Sequence, residues 1–124
     1  MSESLQSYAG HLDALAEELP IAAARTPEDA LKLMQQASEL GGTASAVRLA
    51  SIETLLTDAP DRLEILTAAT ASARAQIRTV ADISRAIDLT GQVIVLAQCV
   101  ATGQIGALAP ALERLSHDLT ANSA

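Results

Sequence analysis

The chain has no phenylalanine and no tryptophan; its single tyrosine is Tyr8 and its single cysteine is Cys99. Scarce aromatics argue against a small-molecule pocket, because such sites are usually walled by aromatic and large apolar side chains. One cysteine excludes an internal disulfide and suits a reducing compartment. Basic residues are scarce as well, 8 Lys and Arg against 15 Asp and Glu, for a net charge of −7. That balance argues against nucleic acid or an anionic membrane surface as partner, since both require a basic face. Apolar runs are broken by charged or polar residues well before the roughly 20 residues a membrane span needs. The opening Met1-Ser2-Glu3-Ser4 lacks the basic-then-apolar pattern of a signal peptide. A soluble cytoplasmic protein is the expected setting.

What is present points to helices. The 124 residues are 49% hydrophobic, a fraction dominated by alanine and leucine. Ala, Leu, Glu, Gln and Arg are strong helix formers, and β-branched runs are short. A core of small and medium aliphatics lets helix backbones approach closely. The expected fold is all-α, an antiparallel helical bundle of four to five helices forming one domain over residues 1–120, with residues 121–124 a disordered tail.

Punctuation places the elements. Leu5, Tyr8, Leu12, Leu15 and Leu19 recur at spacings of three and four, marking an amphipathic helix that ends near Pro20. Thr26-Pro27-Glu28-Asp29 opens a second helix with a hydroxyl cap, proline at the first helical position and acids at the positive dipole end. Leu31, Met34, Ala37 and Leu40 carry it to an expected break at Gly41-Gly42. Val47, Leu49, Ile52, Leu55 and Leu56 give a third helix, after which Asp58 caps the next, with Pro60 in its first turn. From Leu63 a heptad seam follows through Leu66, Thr70, Ala73, Ile77, Val80, Ser84, Ile87, Gly91 and Ile94. Unbroken, residues 60–102 would make about 43 residues of helix, roughly 64 Å long. Either this stretch breaks, most plausibly between Thr79 and Ser84, or it projects as a rod and forms a dimeric bundle with another chain. Gly103, Gly106 and Pro110 punctuate the approach to a last helix built on Leu108, Leu112, Leu115 and Leu119.

One segment stands out, Asp88-Leu89-Thr90-Gly91-Gln92-Val93-Ile94. Residues four apart stand one above the other on a helix face, so Asp88 and Gln92 form a pair of acid and carboxamide. In the heptad frame both lie beside the seam and partly exposed, whereas Gly91 falls on the seam, where a missing side chain allows a second helix close approach. Arg74, Arg78 and Arg85 follow along the same exposed strip. An acid can anchor a cation on a partner while the amide holds a water in line with a phosphoryl group.

The segment resembles the active-site helix of the CheZ family, the chemotaxis response-regulator phosphatases. Asp58-Ala59-Pro60-Asp61-Arg62-Leu63 and the Ala/Thr-rich stretch after it also look like the opening of that family's long helix. The resemblance implies a protein phosphatase that accelerates hydrolysis of the aspartyl phosphate on a two-component receiver domain. It implies Asp88 and Gln92 as the catalytic pair, Gln92 orienting the water and Asp88 pairing with the partner's lysine. Arg74, Arg78 and Arg85 would grip the receiver's acidic rim. No metal or cofactor is called for on this chain, and Mg²⁺ is expected on the receiver. A homodimer through the long seam is the expected assembly. The chain departs from the family in carrying Arg85-Ala86-Ile87 where an aromatic precedes the motif. Thr120 to Ala124 also shows no acidic-hydrophobic tethering peptide, which puts docking on the bundle surface. The pair occurs too in the dimerisation helix of histidine kinases as His-Asp-x-x-x-Gln; here Ile87 stands in the histidine's place, which excludes autophosphorylation.

Blander readings remain beside this one. Asp88 and Gln92 can be a solvated polar strip, and the three arginines can pair with Asp82, Asp88 or a neighbouring helix. His11 and His117 are candidate phosphoacceptors, but neither is followed by the Leu-Lys-Gly pattern usual in histidine phosphotransfer modules. The stretch from Met34 to Leu56 is similar to the central helices of such a module, with Gln35 or Ser38 where the histidine would stand. That likeness implies a non-catalytic adaptor that binds a receiver or kinase. A structural dimerisation bundle is the third alternative. Cys99 reads as buried packing, with no feature near it that would activate a thiolate. Thr90 reads as a helix residue bonding its own backbone.

Overall fold

The computed structural model describes residues 5–49, 60–79, 82–102 and 104–121. Five α-helices and a single 3-10 turn account for its secondary structure, with no strand among the described residues. The helices are α1 (Leu5–Glu18), α2 (Pro27–Leu49), α3 (Pro60–Thr79), α4 (Ile83–Thr102) and α5 (Ile105–Ala121), and the 3-10 turn, Ile21–Ala23, follows α1. The all-α bundle expected from composition is the fold.

Local chemistry sets several boundaries. Thr26 Oγ1 accepts a hydrogen bond from the Asp29 backbone N–H at 3.1 Å, and Pro27 opens α2 without an N–H to satisfy. Asp82 caps α4 in the same way, its Oδ1 accepting from Ser84 N–H at 3.0 Å while its carbonyl takes Arg85 and Ala86 N–H. At the far end of α4 the Gln104 N–H donates back to the Cys99 carbonyl at 2.9 Å, the six-to-one bond of a Schellman closure. The cap at Asp82 decides the main topological question. Helix α3 stops at Thr79, α4 starts at Ile83, and the two fold back against one another. The stretch is therefore two helices, and the continuous seam of a projecting rod is absent.

Three expectations are corrected. Gly41 and Gly42 do not end a helix: α2 runs through both to Leu49. Burial of Leu40, Thr43, Ala44 and Val47 on its inner face outweighs the loss of about 0.5–1 kcal/mol per glycine. Gly106 and Pro110 lie inside α5, not before it. The heptad phase holds in α3, where Leu66, Thr70, Ala73 and Ile77 are buried, and only in part in α4, where Ile94 is buried but Ile87 and Gly91 are half-buried. On α4 the buried residues are Ala86, Leu89, Thr90, Val93, Ile94, Leu96, Ala97, Cys99 and Val100, and Ser84, expected on the seam, is exposed. A break resets helical phase, so a seam extrapolated across it is followed only in part by the next helix. Ile52, Leu55, Leu56, Asp58, Val80 and Gly103 lie outside the described residues.

The core is built from α1, α2, α4 and α3, which close into a ring, with α5 lying against α3 and α4. Tyr8, Leu12, Leu15, Leu33, Leu40, Leu66, Ile77, Leu89, Leu96 and Leu115 are fully buried. Each such side chain contributes about 1.5–3 kcal/mol by leaving water. Thr90, buried on α4, donates its hydroxyl to the Ala86 carbonyl at 2.7 Å, which satisfies a polar group the core would otherwise penalise. Cys99 is buried as expected. By length and composition α4 is long and apolar enough to cross a membrane despite Arg85 and Asp88, and 56% of that window is buried inside the bundle. The central helix of a bundle reads this way, so the apolar runs are less interrupted than the sequence implied.

Candidate functional site

The Asp88–Gln92 pair sits on the outer strip of α4, where that helix meets α5. Their spacing of four brings the side chains together: Gln92 Nε2 donates to Asp88 Oδ2 at 3.2 Å. The Asp88 side chain is 50% exposed. Gln92 is half-buried, and its amide nitrogen has a second, shorter acceptor, Asp118 Oδ2 on α5 at 2.6 Å. The amide orientation follows from these acceptors, because the reverse would set its oxygen against two carboxylates. Gln92 Oε1 points inward, buried and without a hydrogen-bond partner. Asp88 is thus open to a partner, while the Gln92 amide is engaged by the protein's own α5. Both groups are partly exposed on one strip, as expected, but each is also engaged within the chain, Asp88 by Gln92 and Arg85 and Gln92 by Asp88 and Asp118.

Arg85 completes this cluster. One guanidinium nitrogen donates to the Asp118 backbone carbonyl at 2.8 Å, and another lies 3.8 Å from Asp88 Oδ2. Its Nε is buried and unpartnered. Asp118 is in the last turn of α5, where carbonyls have no intrahelical donor, and Arg85 supplies one. Gln76 of α3 does the same for the next carbonyl, that of Leu119, at 2.9 Å. Two side chains from two helices thereby fix the C-terminal end of α5, and with it the position of Asp118 beside Gln92.

Beside the pair runs an apolar groove of about 600 Å³ between α4 and α5. Ile87, Gly91, Val95, Pro110 and Ala111 line it, with Asp88, Gln92 and Arg114 at its polar edge. Val95 is 51% exposed, unusual for a large aliphatic on a helix whose other face forms the core. Gly91 opens onto this groove, yet the group closest to it comes from the same chain. A Cβ there would meet Gln36 Nε2 of α2 at 3.7 Å, an ordinary contact, while Gln36 donates to the Ile87 carbonyl at 3.0 Å.

The three arginines do not share one strip, because they sit on two helices with independent phase. Arg74 turns toward α1, where its guanidinium makes two hydrogen bonds to Glu18, at 3.1 and 2.9 Å. A further nitrogen donates to His11 Nδ1 at 2.8 Å, which requires the ring to carry its proton on Nε2. These bonds hold the Glu18 carboxyl below the ordinary carboxylate value, with burial opposing, and the positive charges of Arg74 and Arg78 add to the effect. Arg78 is exposed one turn further along. Only Arg85 belongs to the cluster around Asp88 and Gln92.

Two members of the site went unnoticed in the sequence, Asp118 and Gln36. Gln36 carried a signal: it falls between Leu33 and Leu40 at core-facing spacing, and a polar residue there implies a specific partner. Asp118 carried none beyond its place next to Leu119. His117 is exposed on α5. Among the described residues no group of three or more His, Cys, Asp or Glu could hold a metal. No family model, curated protein or solved structure matches this chain.

Proposed function

We propose that the protein docks on a response-regulator receiver domain through the α4–α5 groove and hastens loss of the receiver's aspartyl phosphate. One observation carries this reading: Asp88 and Gln92 stand together on an outward strip, within hydrogen-bonding distance, at the edge of an open apolar groove. An acyl phosphate is already activated, and the receiver would supply its own Mg²⁺ and lysine. The reaction lacks only an oriented water in line with the leaving carboxylate. Water oxygen attacks phosphorus, the bond to the aspartyl oxygen breaks, and inorganic phosphate leaves with the receiver carboxylate restored. Asp88 pairs with the lysine and fixes register, and the Gln92 amide holds the water. Positioning of this kind supplies ~10²–10³ in rate. Ile87, Val95 and Ala111 offer the docking contact that the polar pair alone does not.

A second reading, docking without chemistry, is favoured by the Gln92 nitrogen being already committed to Asp118 and Asp88. The decay of phosphate on purified receivers separates the two. Catalysis predicts faster decay with the wild type, lost in Gln92→Ala and weakened in Asp88→Ala through poorer binding. Docking alone predicts a stoichiometric complex whose phosphate lifetime is unchanged or lengthened. No complex with any receiver would refute both.

A further inference from the structure

Two carboxylates converge on one amide nitrogen, and they are held there by different parts of the fold. Asp88 shares a helix with Gln92, so their bond travels with α4. Asp118 reaches the same nitrogen from α5, at the shorter distance of 2.6 Å. A hydrogen bond to an ionised acceptor is roughly twice as strong as one between neutral groups. The pose it enforces nevertheless leaves Gln92 Oε1 buried without a donor, a penalty that works against it. The interhelical bond therefore holds the amide in a conformation the rest of the side chain does not favour.

We propose that Asp118 is a positioning residue that latches the Gln92 amide nitrogen onto α5 at the edge of the groove, and that a basic side chain offered by the partner releases it by taking over the Asp118 carboxylate. This inference rests on the phosphatase reading, in which the Gln92 amide must be free to bind water. The latch is separable from the fold. Arg85 donates to the backbone carbonyl of Asp118, so the cap on α5 survives a change of the Asp118 side chain. The groove offers a route in, because the half-exposed Asp88 carboxylate on its border attracts an incoming cation to the edge where Gln92 meets Asp118, against the opposing charge of Arg114. A resting protein of this kind spares receivers it has not properly engaged, since its amide is available only when a cation of the docked partner sits beside Asp118.

The test pairs Asp118→Ala with a direct view of the amide. In a ¹⁵N-correlated spectrum, the Gln92 side-chain NH₂ resonances are identified by their loss in Gln92→Ala. In Asp118→Ala they are expected to move toward free-glutamine positions, with the rest of the spectrum retained. Phosphate decay on the receiver is expected to quicken several-fold over wild type. Asp118→Asn keeps the shape and one neutral acceptor, and is expected to fall between the two in both readouts; it serves as the test should the alanine variant not fold. Gln92 resonances that stay in place in both variants would overturn the latch, whatever the decay rate does. Released resonances with decay no faster than in receiver alone would uphold the latch and refute the phosphatase reading.

Discussion

Gln92 Nε2 lies 2.6 Å from Asp118 Oδ2, a contact between helices α4 and α5 that joins the sequence motif to a residue outside it. That bond decides what the Asp88–Gln92 pair is able to do. It shows why an i, i+4 motif read on one helix is only half of a site: the other half is whatever the neighbouring helix sets against it.

Glycine positions provide a first prediction. A Cβ at Gly41 or Gly42 would meet nothing within 4 Å, and at Gly91 it would make only ordinary contact with Gln36. All three lie inside helices. Replacing each by alanine is expected to stabilise the fold by about 0.5–1 kcal/mol, read from chemical denaturation. Gly91→Ala has a further consequence, because Gly91 is one of the residues that line the groove. It is expected to weaken receiver binding while raising stability, whereas Gly41→Ala and Gly42→Ala leave binding alone.

The Arg74–Glu18 pair predicts a specific acid response. The folded-state carboxyl titrates below its unfolded value, so the folded chain binds fewer protons than the unfolded one as pH falls. Its stabilising contribution is present in full above the ordinary glutamate value of about 4.3 and disappears as pH drops through the lowered one. Melting temperature measured from neutral pH down to acid should therefore fall less steeply in Glu18→Gln than in the wild type. Identical acid limbs would show that the pair contributes nothing to the fold, as surface pairs often do.

Tyr8 predicts the opposite limb. Burial pushes its phenol well above the ordinary value, and Cys99 adds to this while the Thr70 hydroxyl partly offsets it. Above about pH 10 the unfolded chain releases the proton that the folded chain keeps, so stability falls as pH rises. The chain has a single tyrosine, which makes the readout clean. Phenolate absorbance is expected to appear only together with loss of helical circular dichroism. Its appearance while the helices remain intact would contradict the burial.

Arg85 supplies a fourth. It donates to the Asp118 carbonyl and lies close to Asp88. Arg85→Ala removes a donor from the last turn of α5 and should destabilise the protein by about 1.5–3 kcal/mol, the range for a hydrogen bond to a charged group. Amide hydrogen exchange should quicken first in α5, whose C-terminal end it fixes, and last in α1 and α2.

How much of this was legible in the sequence varies with the distance over which each signal acts. Local chemistry read well. Thr26-Pro27 opened α2 as expected, and the interruption expected between Thr79 and Ser84 is where α3 gives way to α4. Signals that depend on packing did not. Gly41-Gly42 looked like a stop because glycine disfavours helix, but the buried residues flanking it hold the helix together. The heptad seam ran past Asp82 into α4 because spacing alone carries no record of a reset in phase. Asp88 and Gln92 were placed on one face correctly, since that follows from the pitch of a helix. Asp118 was invisible and Gln36 signalled only that it needed some partner, because they come from helices 26 and more positions away, and only the tertiary arrangement brings them near.

The most direct measurement is the rate of phosphate loss from a phosphorylated receiver domain mixed with the wild type and with Gln92→Ala. The proposal predicts that the wild type accelerates decay by ~10²–10³ over receiver alone, and that the alanine variant, still folded and still bound, brings the rate back to that of receiver alone. Equal rates for the two proteins would contradict it and leave the helical bundle a docking element without chemistry of its own.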